Sequence, residues 1–412
     1  MYRRIERCRV CKSDYLIQIL DLGEQALTGV FPKTRDEPLT VGPLRLVKCH
    51  GVDACGLVQL EHSYVFEEMY GANYGYRSGL NKSMADHLQG KIDIIRRRFL
   101  LRPGEVVVDI GSNDGTTLAA YPPSLRRIGI DPTADKFRSY YEPGIEIVAE
   151  QFTEAAFRSV CADRQASVVT TFAMLYDLED PLAFMRDVHR VLADDGVWVS
   201  EQSYLPLMMK QNAYDTVMHE HFEYYSLAVL QRMAQVTGFK IIDVEINDTN
   251  GGSSSITIVK VGSKYHVSPN VQAMLDRERD EGFDGLAVYA GFAKRVRAHY
   301  HELRAVVADA RAAGKTVGAL GASTKGNTVL QYCGFGPEDI YAIGEVNEDK
   351  VGGFTPRTWI PIVSESDVIA AELDYLIVLP WHFRSTFMRL LPKLRGSTRL
   401  VFPLPKLEVV ER

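Results

Sequence analysis

The chain has 412 residues, 46% hydrophobic and 24% charged, with a formal net charge of −6. That length exceeds one ordinary core, so two or three domains are expected, and the composition is that of a globular protein. The acidic balance excludes a nucleic-acid-binding surface spread over the whole molecule. No apolar run approaches the ~18 residues of a membrane span, and the start "MYRRIERCRV" lacks the apolar core of a signal peptide. Six cysteines in this length make no disulfide scaffold, and the setting expected is cytoplasmic with reduced thiols.

Residues 1–75 are rich in turns and cysteine. Cys8-x-x-Cys11 is followed by "KCHGVDACGL", which carries Cys49 and Cys55. Thiolates paired across two short knuckles can close a tetrahedral zinc shell and give shape to a segment with little core of its own. The second spacing is loose, so His50 could replace one cysteine, and four ordinary thiols is the competing reading. Nothing suggests an open, catalytic metal position.

Residues 76–265 alternate strand and helix from about 100 onward. "EVVVDIG", "RIGIDP", "IEIVAE", "SVVTTFAML" and "GVWVSEQ" read as strands, with helical patterns such as "PLAFMRDVHRVLADDG" between them. "KIIDVEIND" and "SSSITIVKV" read as a closing hairpin. Such crossovers make an α/β doubly wound, mostly parallel sheet with its ligand at the carboxyl ends of the strands. The turn "VVVDIGSNDGTT" offers Asp109, Gly111, Asn113, Asp114 and Gly115. Its glycines allow close backbone approach, and the helix start offers free N–H groups. The second glycine comes four residues after the first, unlike the G-x-G-x-x-G of dinucleotide enzymes. Asp131, followed by Pro132, ends the next strand and can accept from both ribose hydroxyls of an adenosine. Loop plus acid is the grammar of an S-adenosylmethionine site, with Gln151 and Phe152 of "AEQF" near the adenine.

Residues 266–412 begin with helices, including "LAVYAGFAKRVRAHYHELRAVVADARAAG" ending at Gly314. A smaller Rossmann-like α/β unit follows, with four strand-like runs, "KTVGALGAS", "DIYAIGEVN", "DYLIVLPW" and "RLVFPLP". "GASTKGNTVL" joins a strand to a helix, and Ser323, Thr324, Lys325 and Asn327 could hold a diphosphate. The G-K-[ST] order of an ATPase loop is absent. Glu345, Lys350 and His382 sit at or after strand ends and are weaker candidates.

With these segments in hand, the chain resembles the S-adenosylmethionine-dependent sugar C-methyltransferases that act on nucleotide-linked 4-keto-deoxysugars. The resemblance rests on the cysteine knuckles with "LDLGEQALTGVF" and "CGLVQL", on "VVDIGSNDG", on "HEHFEYYS", and on "GALGASTKGNTVLQYCG". It implies a class I methyltransferase core between a zinc-knuckle domain and a nucleotide-sugar-binding C-terminal domain. It also implies a role in branched deoxysugar synthesis for natural products or surface polysaccharide such as O-antigen, by methylation of C3 beside a C4 ketone. A ring C–H is removable there because the ketone accepts the charge, so the enzyme needs a base and polar groups around the oxygen.

By that resemblance His221 of "HEHF" is the base, Glu220 its polar companion, and Tyr76 a residue brought to the sugar beside Tyr74, Arg77 and Ser78. Two departures matter: many relatives carry Tyr where this chain has Met218, and some carry Asn where it has Ala173. Tyr176, His219 or Tyr204 could supply the missing polar contact, with Tyr224 on the same wall. A metal on His219 and His221 would need two further ligands that the sequence does not offer. The partner implied is a nucleoside diphosphate 4-keto-deoxysugar, with no nucleic acid and no membrane, and a monomer is the expected state. An NAD-dependent sugar oxidoreductase and a non-catalytic nucleotide-sugar-binding protein are the competing readings.

Overall fold

The computed structural model describes residues 2–70 and 76–411. Among the described residues three larger sheets organise it, beside a two-stranded pair of Tyr2–Arg4 with His62–Tyr64, and each of the three owes its character to burial. In the N-terminal segment the strands Leu16–Ala26, Val41–Cys49 and Val58–Leu60 form an antiparallel sheet. Leu20, Leu22, Leu44, Leu46 and Leu60 are all buried. The segment therefore has a real core, which the sequence reading did not expect. Register shifts at Gln18/Leu20 and Asp21/Glu24 interrupt the alternation that would have announced these strands. The fourth strand comes from far along the chain: Glu223–Tyr224 pairs antiparallel with Val58–Leu60, Glu223 opposite Gln59. The stretch "HEHFEYYS" is thus bound into the zinc-knuckle sheet.

The central sheet has seven strands in the order Phe239–Asn247, Ser253–Lys260, Leu192–Ser203, Ala166–Phe172, Val106–Ile110, Arg126–Ile130, Ile145–Val148. The last five run parallel, and Ser253–Lys260 is antiparallel to both of its neighbours. Val106–Ile110 is buried at every residue, which is why it reads as an unbroken apolar run. The helix Pro181–Val191 starts with Asp180 accepting from the Ala183 N–H and with proline in its first turn.

The helix Ala287–Ala312 buries Tyr289, Phe292, Val296, His299, Leu303, Val307 and Ala310, a stripe at steps of three and four that explains its length. The C-terminal sheet has six strands, ordered Ile362–Ser364, Ile343–Glu345, Val317–Leu320, Tyr375–Val378, Arg399–Phe402, Glu408–Val410, the last antiparallel. Ile362–Ser364 and Glu408–Val410 exceed the four expected strands. Three residues are too few to carry a period.

The three units close on one cleft of about 2290 Å³, which residues from each of them line. Among the described residues no helix is long and apolar enough to cross a membrane.

Candidate active site

One wall of the cleft is the carboxyl edge of the central sheet. The chain leaves Val106–Ile110 through Gly111 (φ +74°), where a Cβ would press on Met174, and Asn113 (φ +50°). The backbone N–H of Asn113 donates to Asp131 Oδ2 at 2.8 Å, and Thr133 donates to Oδ1 from N and Oγ1, both at 2.6 Å. Three donors hold the carboxylate in place, and it keeps lone pairs for a diol. Pro132, Gln151, Phe152 and Ala173 line this same wall.

Three residues read from the loop do not line the cleft. Asp109 lies beneath it, fully buried, accepting Thr170 Oγ1 at 2.5 Å, and burial pushes its pKa up to about 7. Gly115 caps the helix Thr116–Ala119 at positive φ, where a Cβ would run into the Tyr141 ring. Asp114 accepts from Thr116 Oγ1 at 2.6 Å and from the Gly79 N–H at 3.0 Å, and pairs with Arg77 at 3.5 Å. Asn113 joins it, accepting from the Ser78 N–H at 2.9 Å and donating to the Tyr76 carbonyl at 3.0 Å. The two side chains clamp residues 76–79 onto the 111–115 turn. Tyr76, 51% exposed, then faces the cleft with Arg77, stacked on Tyr140 at 3.3 Å, and Ser78. Tyr74 lies outside the described residues.

The opposite wall carries His221. Its Nδ1 is 3.2 Å from the Thr216 carbonyl, which can only accept, so Nδ1 holds the proton and Nε2 the lone pair. The ring packs on Tyr176 at 4.2 Å, and both residues line the cleft. Burial, then the Lys325 charge, lower the His221 pKa to about 3, so the imidazole is neutral near pH 7. Glu220 accepts from Thr28 Oγ1 at 3.3 Å and leaves room only for glycine at Gly29. Burial raises its pKa.

His219 goes elsewhere. It is fully buried, edge-on to Tyr64 at 4.5 Å, with its pKa driven by burial to about 3, and it does not reach the cleft. Tyr204 donates to Glu278 at 2.7 Å, and Tyr224 braces the His221 turn by accepting from the Met218 N–H at 3.3 Å. Of the three residues expected to replace the polar group missing at Met218, Tyr176 alone lines the cleft.

The sequence reading missed Asp177, also in the lining, whose Oδ1 is buried without a hydrogen-bond partner. Burial, then the charges of Glu220 and Glu223, push its pKa well up. An acid in the loop just past a central strand was the available signal. His87 was missed too, bonded to Glu201 at 2.5 Å beside the same cleft.

The C-terminal unit brings Ser323, Thr324, Lys325, Glu345, Lys350 and His382 to the lining. Ser323 caps the helix Thr324–Cys333 through the Gly326 N–H at 2.9 Å. Lys325 donates to the Asn250 carbonyl at 2.6 Å, and Lys350 to the Ala322 carbonyl at 2.8 Å while lying over the Phe31 ring. Glu345 folds one oxygen back on the N–H groups of Val346 and Asn347. His382 is held near pKa 3, mainly by burial and then by Lys325. Asn327 faces away, donating to the Thr28 carbonyl at 2.8 Å as a staple between units.

In the N-terminal unit the thiols of Cys8, Cys11, Cys49 and Cys55 lie within 4.8 Å of one another, with Cys8–Cys55 and Cys11–Cys49 at 3.4 Å. A tetrahedral ion with Zn–S of ~2.3 Å needs sulfur edges of roughly 3.8 Å, so the four fit zinc with small shifts. Among the described residues His50 is not part of the cluster. Arg9, inside the first knuckle, donates to the Leu60 carbonyl and Ser63 Oγ, each at 2.8 Å, and stacks on Phe222 at 5.1 Å. The knuckle is thereby tied to the residue after His221.

Comparison with known proteins covers all three units. The family models matched are "Putative zinc binding domain" over residues 8–70, "Methyltransferase domain" over 84–244, and "C-methyltransferase C-terminal domain" over 248–405. The C-methyltransferase NovU of Streptomyces niveus is 30% identical over 420 residues, covering 99% of this chain and 97% of that protein. Among solved structures, the mitomycin 7-O-methyltransferase MmcR aligns over 43% of this chain and 55% of its own, with 15% identity and a TM-score of 0.34. The plantazolicin methyltransferase BpumL, in complex with SAH, aligns over 42% and 82%, with 10% identity and a TM-score of 0.34. The methyltransferase domain takes S-adenosylmethionine, and the four cysteines form a structural zinc site. The chain therefore belongs to the C-methyltransferase family in which a zinc-binding segment, a methyltransferase domain and a C-methyltransferase C-terminal domain follow one another.

Proposed function

We propose that the protein methylates carbon 3 of a nucleotide-linked 4-keto-6-deoxysugar, in branched deoxysugar synthesis. The observation that carries this reading is the His221 tautomer. A neutral imidazole with Nδ1 spoken for presents Nε2 to the cleft that also contains the Asp131 wall. S-adenosylmethionine supplies the methyl group as an electrophile, so the protein's tasks are to make a carbanion and to align it. His221 Nε2 takes the proton from the carbon beside the ketone, and the electron pair moves onto the ketone oxygen. With the donor bound, the pair would return through the carbon to the methyl group as the methyl–sulfur bond breaks, restoring the ketone and leaving the neutral thioether. Tyr176 fixes the imidazole plane, while Glu220 and Asp177, both favouring the protonated form, can donate hydrogen bonds to sugar oxygens. Tyr76, Arg77 and Ser78 close the sugar side, and Ser323, Thr324 and Lys350 of the C-terminal unit hold the nucleotide.

The test is incubation with S-adenosylmethionine and a panel of dTDP-, GDP- and CDP-linked 4-keto-6-deoxysugars. Gain of one methyl group on carbon, located by NMR, is the expected result. Methyl transfer to oxygen, or none with any donor–acceptor pair, contradicts it.

A further inference from the structure

The helix start that the sequence suggested as a phosphate cradle lies against the base. Thr328, one turn into the helix Thr324–Cys333, donates through Oγ1 to the Val217 carbonyl at 3.1 Å, four residues before His221. Gly29 sits between the Glu220 carboxylate and the Thr324 methyl. Lys325 belongs to the same first turn of that helix. Its ammonium lines the cleft, held at 2.6 Å by the Asn250 carbonyl, and none of the carboxylates among the described residues forms an ion pair with it. Asp215, whose charge Lys325 feels, is fully buried and engaged by Trp381 Nε1 at 2.7 Å. Burial lowers the Lys325 pKa while Asp215, beyond ion-pair distance, raises it, so an anion arriving in the cleft offsets the cost of keeping this cation.

We infer that Lys325 is a catalytic residue, the positive charge that receives the enolate oxygen as His221 removes the neighbouring proton. This rests on the α-deprotonation reading above. When the C–H bond breaks, the proton goes to His221 Nε2 and the electron pair collects on the ketone oxygen. The fixed ammonium opposes that new charge, with no reorganisation at the moment of transfer. It also settles a conflict at the base: a cation beside an imidazole weakens it, and that weakness is recovered when the released electron pair settles next to the same cation. In a pyranose the C4 oxygen and the C1 phosphate leave from opposite ends of the ring, so one ammonium cannot serve both. Of the two lysines that the sequence singled out in the C-terminal unit, Lys350 is then the one left for the diphosphate.

The experiment measures deuterium wash-in from D2O at the carbon beside the ketone, with S-adenosylhomocysteine in place of the methyl donor and dTDP-, GDP- and CDP-4-keto-6-deoxysugars as probes. For Lys325→Met, exchange should fall by about 10²–10³-fold, the range for loss of one preorganised oxyanion partner. Affinity for the matching nucleoside diphosphate and for S-adenosylmethionine should change less than about threefold. Lys325→Arg, which keeps the charge, should stay within about tenfold of wild type and guards against a folding artefact. Undiminished exchange in Lys325→Met overturns the inference. So does a loss of nucleotide affinity with exchange restored at saturation, which would assign Lys325 to the phosphates. Wild type that neither exchanges nor methylates any probe removes the reaction class, and with it this role.

Discussion

The wall around Asp131, proposed for the cofactor, and the wall around His221, proposed for the acceptor, are built by opposite means. The cofactor wall is assembled by adjacent parallel strands, and its key contacts are near in sequence: Asn113 to Asp131, Thr133 to Asp131. The acceptor wall is assembled across units. Glu220 meets Thr28, Thr328 meets Val217, and Asn327 reaches back to Thr28. A wall of the first kind tolerates change around it, because one turn fixes its geometry. A wall of the second kind depends on three units staying docked, and it can vary its acceptor while the first stays constant. Substitutions should therefore separate cleanly by wall.

The largest effect is expected at His221, the proposed base. His221→Asn should lower turnover on the order of 10²–10⁴-fold, the usual worth of a general base, with affinity for S-adenosylmethionine unchanged in calorimetry. Retained turnover would break the assignment.

Next comes the docking of the acceptor wall. Replacing Cys8 and Cys11 by Ser should abolish zinc in metal analysis and destabilise the N-terminal sheet, since a structural zinc contributes folding free energy directly. Because Arg9 links that knuckle to Phe222, turnover should fall while cofactor affinity survives. A zinc-free wild type would contradict the closed site.

Asp131→Asn sharpens the comparison from the other side. Losing charge-assisted hydrogen bonds worth ~1.5–3 kcal/mol should weaken S-adenosylmethionine binding by about 10–100-fold and leave nucleotide binding alone. Equal losses for both ligands would mean that the walls are not separable.

The smallest effect concerns His219. Folded, it stays neutral down to about pH 3, whereas the unfolded imidazole takes a proton near 6.5. Through that window the unfolded state binds more protons, so this contribution to stability is complete above about pH 6.5 and is lost as pH falls toward 3. Urea denaturation at several pH values should show His219→Phe reducing the acid slope by on the order of 1 kcal/mol per pH unit. An unchanged slope would refute it.

What the sequence made legible follows the same division. The central sheet and Asp131 could be read because a buried strand, a glycine turn and a following acid are local patterns. Asp109, Asp114 and Gly115 belong to that pattern too, yet the structure uses them to carry the turn and the 76–79 segment. Chemistry alone could not distinguish a ligand group from a brace. His219 and His221, two residues apart, were indistinguishable until a turn sent one to Tyr64 and the other to Tyr176. The N-terminal core was hidden by shifts in strand register, and Asp177 by the absence of any partner nearby in sequence.

The most direct test is a crystal structure with S-adenosylhomocysteine and the accepted nucleotide sugar bound together. The account predicts His221 Nε2 within hydrogen-bond reach of the sugar carbon beside the ketone, with the cofactor sulfur on the opposite face of that carbon. An imidazole turned from the ring, or a sulfur on the same face as His221, would contradict it.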